Sequence, residues 1–73
     1  MEMCIRGTVK RVFLPNGYGF IEGTDKVDYF MHTEHFLPGQ SWDGEHVYDG
    51  AEVEFVPSKG KKGPRALEIQ LLP

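Results

Sequence analysis

The stretch Asn16-Gly17-Tyr18-Gly19-Phe20-Ile21-Glu22 decides how this chain folds. Successive side chains of a strand point to opposite faces, so Tyr18 and Phe20 share one face and Ile21 lies on the other. A glycine between two aromatic residues leaves their face uncrowded and lets another backbone or a ligand approach closely. The stretch therefore predicts a strand with an aromatic outer face and an aliphatic inner face.

A second stretch, Asp28-Tyr29-Phe30-Met31-His32, repeats this pattern. Phe30 and His32 share one face, whereas Tyr29 and Met31 share the other. If the faces with Phe20 and Phe30 instead pointed inward, Ile21, Tyr29 and Met31 would be exposed to solvent. We therefore expect two neighbouring strands whose exposed rings form one surface, the aromatic platform, made of Tyr18, Phe20, Phe30 and His32.

The remaining sequence predicts further short strands separated by turns. Pro15-Asn16-Gly17 is a strong turn signal that ends the first strand. Residues 33–49 lack periodicity and predict a long loop with a short helical turn near 33–37, and residues 58–64 predict a basic, glycine-rich hairpin loop. Five strands and no helix indicate a small all-β barrel. The strands are expected at residues 3–14, 18–22, 27–32, 51–57 and 66–71.

Length and composition indicate a single small domain over residues 1–73. Aromatic residues make up 12% of the chain, more than such a small core can bury, so some must be exposed. Cys4 is the only cysteine, which excludes an intramolecular disulfide and favours a reducing compartment. With no signal-peptide pattern and no apolar run long enough to cross a bilayer, we expect a cytoplasmic protein without membrane contact.

The formal net charge is −3, but the charges are unevenly distributed. Residues 22–54 are acidic, and Lys26 is their only Lys or Arg. Residues 58–65 contain bases and no acid, and a second basic group lies in the first strand. A polyanion could bind such local basic regions despite the negative sum. The two groups are Lys59, Lys61, Lys62 and Arg65, and Arg6, Lys10 and Arg11.

Four motifs follow one another along the chain: Gly7-Thr8-Val9-Lys10, Gly17-Tyr18-Gly19-Phe20-Ile21, Asp28-Tyr29-Phe30-Met31-His32 and Lys62-Gly63-Pro64-Arg65-Ala66. In this order they resemble the cold-shock domain, and the resemblance extends from about residue 6 to 71. It implies a five-stranded antiparallel OB-fold barrel that binds single-stranded RNA or DNA. It also implies an RNA chaperone or a regulator of transcription or translation, with neither catalysis nor a cofactor.

Residue by residue, the resemblance carries over binding roles to Lys10, Tyr18, Phe20, Phe30 and His32. The chain departs from the family pattern at several neighbouring positions. Arg11 and Val12 stand where the family has Trp-Phe, Thr33 stands where a phenylalanine follows the histidine, and Asn16 replaces a lysine. A guanidinium can stack on a base or pair with a phosphate, but threonine cannot stack. We therefore expect weaker binding than in a relative with all the rings.

The physical chemistry of the side chains completes the expected interface. Bases stack on the platform rings, and the cations of the first strand and of the 58–64 loop meet phosphates. Trp42 would add a stacking surface if the long loop folds over the platform. The predicted nucleic-acid-binding residues are Lys10, Arg11, Tyr18, Phe20, Phe30, His32, Trp42, Lys59, Lys61, Lys62 and Arg65.

Other functions are less well supported by the sequence. An RNA-recognition motif needs two helices and the opposite motif order, and no acid–base pair or phosphate-binding loop indicates an enzyme. Cys4, His32 and His35 lack the paired spacing of metal ligands. An OB-like barrel adapted to protein contacts, with weak nucleic-acid binding, is the alternative. We expect a monomer, with a strand-exchanged dimer as the alternative, and the sequence leaves open both RNA versus DNA and a preference for pyrimidines.

Overall fold

Five strands form the fold in the computed structural model, which describes residues 3–73. Each predicted strand is present, with ends that differ by a few residues. The first two residues of the expected 1–73 domain lie outside the described part. No helix in the described part is long and apolar enough to cross a membrane. The strands are β1 (Ile5–Phe13), β2 (Tyr18–Gly23), β3 (Asp28–His32), β4 (Glu52–Gly60) and β5 (Gly63–Leu71).

The strands close into a barrel in the order β1-β2-β3-β5-β4. This confirms the predicted all-β, five-stranded barrel and is consistent with an OB-fold. The prediction that it is antiparallel is right for all pairings except β3 with β5, which run parallel at Phe30 and Arg65. An odd number of strands cannot alternate in direction all the way round a closed ring. At least one parallel pairing is therefore needed for closure.

The barrel interior is filled by side chains from alternate positions of the strands. Ile21, Tyr29 and Met31 are buried, which confirms the predicted inner face of β2 and β3. The largest fully buried side chain is Phe55 of β4, whose ring lies 4.9 Å from that of Tyr29 at 62°, an edge-to-face geometry. Because the inward side chains of β2 and β3 fill the interior, the rings on the opposite face of these strands are left on the surface.

A β-bulge in β1 changes which of its side chains face outward. Val9 pairs with Ile21, but the next paired residue is Arg11, opposite Phe20, so Lys10 is the extra residue. After the bulge, Val12 pairs with Gly19 and Phe13 with Tyr18. Strict alternation from the buried Val9 would have turned Phe13 inward. The bulge instead places Phe13 beside the aromatic platform.

The long loop after β3 is held against the barrel along its length. It begins with the predicted helical turn, a 3-10 turn at Thr33–His35. The amide of Leu37 donates to the carbonyl of Ile69 at 2.9 Å, and Val47 is fully buried. At its end, Asp49 accepts a hydrogen bond from the Val12 amide at 3.1 Å, next to the bulge. The loop therefore closes one end of the core.

The β4–β5 hairpin differs from the prediction of a loop over residues 58–64. The ladder continues to the pair Gly60 and Gly63, so only Lys61 and Lys62 form the turn. Gly63 has φ 111°, a conformation that glycine adopts without steric cost. Residues 58–60 and 63–65 pair through backbone hydrogen bonds and do not bury an apolar face. The segment therefore lacks the apolar alternation by which a strand is recognised in the sequence.

Candidate nucleic-acid interface

The four platform residues lie together on the outer face of β2 and β3. Register places Tyr18 opposite His32 and Phe20 opposite Phe30. The rings of Tyr18 and Phe30 stack with centroids 5.8 Å apart and planes at 29°. Phe20 meets Phe30 edge-on at 5.9 Å and is 38% exposed, and His32 lies 6.2 Å from Phe30. The platform predicted from alternation is therefore present as one continuous surface.

Phe13 adds a fifth ring beside the four of the platform, and it was not predicted from the sequence. Its centroid lies 5.2 Å from that of Tyr18, with planes at 36°, and the Arg11 guanidinium carbon lies 5.6 Å from the Phe13 centroid. Such a distance permits a cation–π interaction. The available signal was the pair Lys10-Arg11, two adjacent exposed cations that break the alternation and so indicate a bulge. Phe13 restores part of the aromatic surface that is lost where Arg11 and Val12 replace the Trp-Phe pair of the family.

His32 is fixed in orientation by the turn that follows it. Its Nδ1 accepts a hydrogen bond from the backbone amide of Glu34 at 3.0 Å. A neutral imidazole that accepts at Nδ1 carries its proton on Nε2, which is left as a donor at the platform edge. The ring of His35 lies 6.4 Å away. Within residues 3–73, no group of three or more ligating side chains could hold a metal ion.

A groove of about 460 Å³ joins the platform to the β4–β5 hairpin. Phe20, Phe30 and Asp28 line it on the side of β2 and β3, and Lys62, Pro64 and Arg65 line it on the hairpin side. The parallel pairing of Phe30 with Arg65 brings these two sides together. Two of the four predicted hairpin cations, Lys62 and Arg65, therefore lie beside the rings.

The other two hairpin cations are not brought to this groove. Lys59 lines a separate concavity with Tyr29, Pro57 and Ser58. Lys61 is exposed in the two-residue turn. The twist and alternation of the hairpin thus divide a basic cluster that is continuous in sequence.

Lys10 and Arg11 line a second concavity, of about 600 Å³, together with Phe13, Phe20 and Asp28. Lys10 Nζ donates to Asp28 Oδ2 at 3.0 Å, and both side chains are about half exposed. This hydrogen bond and the charge of Asp28 raise the pKa of Lys10. Lys10 stays protonated, but its charge is partly offset by the carboxylate.

The structure places Trp42 away from its expected position over the platform. Its indole Nε1 donates to the Leu14 carbonyl at 3.0 Å, and its ring meets Phe36 edge-on at 5.3 Å. The half-buried indole packs against the core. The long loop folds onto the barrel end, where the half-buried indole gains both an apolar contact and an acceptor for its N–H, and this explains why Trp42 lies there.

A closed five-stranded barrel with exposed rings on adjacent strands and cations at their edge has the architecture of OB-type nucleic-acid-binding barrels. Comparison with known proteins narrows this class. Residues 5–72 match the model of the 'Cold-shock' DNA-binding domain. The chain therefore belongs to the cold-shock DNA-binding domain family, as its motifs predicted, and this membership supports nucleic-acid binding in general.

Individual relatives cover nearly the whole chain. A cold shock-like protein of Aquifex aeolicus is 38% identical over 71 residues, 96% of this chain and 97% of that protein. Cold shock protein CapB of Pseudomonas fragi is 35% identical over 66 residues, 90% of this chain and 91% of its own. Cold shock protein CspB of Geobacillus stearothermophilus is 36% identical over 64 residues, which are 88% of this chain and 92% of that protein.

Proposed function

We propose that this domain binds single-stranded RNA or DNA by stacking unpaired bases on the aromatic platform. The observation that carries the proposal is the row of rings from Phe13 through Tyr18 and Phe30 to His32, with successive centroids 5.2, 5.8 and 6.2 Å apart. Unpaired bases present a π-face whatever their identity, and each stacking contact contributes about 1–3 kcal/mol. A row of rings can therefore hold several bases with little dependence on sequence.

The cations beside the rings support the same proposal. Lys62 and Arg65 line the groove next to Phe20 and Phe30, where phosphates of a strand lying across the platform would pass. Binding would then release counterions and weaken with added salt. Purine runs stack on themselves and resist unstacking, so we also propose that pyrimidine-rich strands are preferred overall.

The biological role that follows is passive. A domain that holds bases on its surface competes with base pairing, which is the action of an RNA chaperone or a regulator of transcripts. Such a role fits the cytoplasm, where a lone exposed cysteine such as Cys4 remains reduced. We propose that the domain acts as a monomer, because one barrel carries the whole row of rings.

Removing two platform rings tests the proposed mechanism. The double variant Tyr18→Ala with Phe30→Ala should weaken binding of a short oligouridine or oligothymidine by roughly 2–6 kcal/mol, since two stacking contacts are lost. Fluorescence anisotropy of a labelled oligonucleotide measures the affinity, and circular dichroism checks the fold. The matched control is Tyr48→Ala, which removes a ring that is 52% exposed in the long loop, outside the platform.

A second variant separates binding from folding. Tyr18→Leu with Phe30→Leu keeps apolar bulk beside the barrel but removes the π-faces, so binding should still fall. A folded variant with unchanged affinity would reject stacking as the mechanism. If the unaltered protein shows no oligonucleotide binding at low salt, the alternative of a barrel that contacts a protein partner is favoured.

A further inference from the structure

Arg11 stands out among the cations of β1 because no carboxylate within residues 3–73 is paired with it. Arg6 lies 3.8 Å from Glu54, and Lys10 is bonded to Asp28. The Arg11 guanidinium is instead positioned over the Phe13 ring, at 5.6 Å from its centroid. A guanidinium has five donors in a rigid fork, so those of Arg11 remain available to an incoming acceptor.

The surroundings of Arg11 favour a base over a phosphate as this acceptor. The concavity of about 600 Å³ has apolar walls from Phe13 and Phe20, which suit the faces of a planar ring. Asp28 lines this concavity as well as the groove beside the hairpin, and its carboxylate repels a phosphate in both. The groove has Lys62 and Arg65 to offset that charge, whereas here the cation beside Arg11 is Lys10, which the carboxylate already engages. A neutral group with hydrogen-bond acceptors is therefore the better occupant.

We infer that this concavity selects one guanine of the bound strand, through paired hydrogen bonds from the Arg11 guanidinium to guanine O6 and N7. The inference rests on the proposed single-strand binding and deepens it. Guanine places two acceptors side by side on this edge, which matches the guanidinium fork. Adenine has a donor in place of O6, and pyrimidines lack N7. A strand that is otherwise pyrimidine-rich would thus be read at one position.

The test scans a single guanine, and separately a single adenine, through a short oligouridine and measures each affinity by fluorescence anisotropy. At one position, guanine should bind about five- to a hundredfold more tightly than adenine, the range expected for one bidentate contact. Arg11→Lys keeps the charge but replaces the rigid fork by a single ammonium, so this ratio should fall, although lysine can still donate to O6 or N7. Arg6→Lys, on the same strand but paired with Glu54, should leave the ratio unchanged.

Base analogues give a readout that does not depend on the fold of a variant. Replacing N7 by carbon in 7-deazaguanine should reduce the preference of the unaltered protein, and inosine, which keeps O6 and N7, should retain it. An unchanged preference with 7-deazaguanine or in Arg11→Lys would overturn the inference. So would equal losses for all strands in Arg11→Gln with a shallower salt dependence, since that result identifies a phosphate contact.

The same titrations separate single-strand binding from guanine selection. If the protein binds neither oligouridine nor its guanine-containing versions at low salt, the proposed function is wrong. If it binds all of them equally, single-strand binding stands and the guanine site is rejected. Circular dichroism of each Arg11 variant confirms that its barrel is folded before its affinities are compared.

Discussion

At the scale of single residues, the interface depends on which side chains are absent as much as on those present. Gly19 lies under the β1–β2 pairing, where an added Cβ would meet the Arg11 carbonyl oxygen and lie 2.8 Å from Met31 Cε and 3.0 Å from Val12 Cα. This close approach lets Val12 pack inward and Phe13 lie outward beside Tyr18. Glycine between the platform residues is therefore required by packing as well as by access.

Gly19→Ala should destabilise the barrel by about 1–3 kcal/mol, because the methyl group overpacks against neighbouring backbone atoms. Urea unfolding followed by circular dichroism measures the change. Gly60→Ala is the matched control, since the nearest neighbours of its Cβ would lie at 3.8 and 4.0 Å, an ordinary van der Waals distance. Equal stability of the two variants would show that β1 and β2 can separate without cost.

At the scale of elements, short side-chain contacts determine the turns and loops that connect the strands. In the β2–β3 turn, the Tyr29 hydroxyl donates to Asp25 at 2.5 Å, and Asp25 also accepts from the Val27 amide at 3.1 Å. The hydrogen bond to Asp25, with burial, raises the pKa of Tyr29 to about 12. In the long loop, Asp43 accepts from the backbone amides of Glu45 and His46, both at 3.0 Å. Each turn is thus fixed by one carboxylate.

The Asp43–His46 contact gives the long loop a pH dependence. His46 Nδ1 lies 2.7 Å from Asp43 Oδ1, and this hydrogen bond and charge, with a smaller effect of Glu45, raise the pKa of His46 above its ordinary 6.5. The same hydrogen bond lowers the pKa of Asp43 below 3.8. The folded state therefore holds the His46 proton more tightly than the unfolded chain does.

The stabilisation is fully present between about pH 4 and 6.5, from these two ordinary values. It is lost as the pH rises through the raised pKa of His46 or falls through the lowered pKa of Asp43. Histidine titration by NMR should show a His46 midpoint above 6.5 that moves down in Asp43→Asn. The same midpoint in both proteins would mean that the ion pair does not form in solution.

At the scale of the whole molecule, charge is distributed so that an acidic chain keeps a basic edge. The net charge is −3, yet Lys62 and Arg65 lie together beside the platform rings. Asp28 reduces the positive charge of this edge, because its carboxylate lines both concavities and forms an ion pair with Lys10. The barrel closure therefore brings one acid of the sequence into the basic surface.

Asp28→Asn should strengthen oligonucleotide binding at low salt, since it removes a repulsive charge and releases Lys10. Each cation that newly meets a phosphate of a single strand steepens the slope of log affinity against log salt by about 0.7. Titrations at several salt concentrations measure this slope. Glu52→Gln, an equal change of charge at an exposed position of β4, is the control. A weaker affinity of Asp28→Asn would instead indicate that the carboxylate itself accepts a hydrogen bond from the bound strand.

Local sequence patterns are enough to predict the five strands, the buried faces of β2 and β3, and the four rings of the platform. These follow from alternation over a few residues, and the buried Ile21 and Met31 confirm them. Three features depend on tertiary contacts: Phe13 faces outward, Trp42 packs at the barrel end and Lys10 is bound by Asp28. The loop contact and the ion pair join positions far apart in the chain, so no local pattern encodes them. The pair Lys10-Arg11 indicates a bulge, but only the pairing of β1 with β2 fixes the face that Phe13 takes. The parallel closure of β3 with β5 likewise arises only when all five strands meet in one ring.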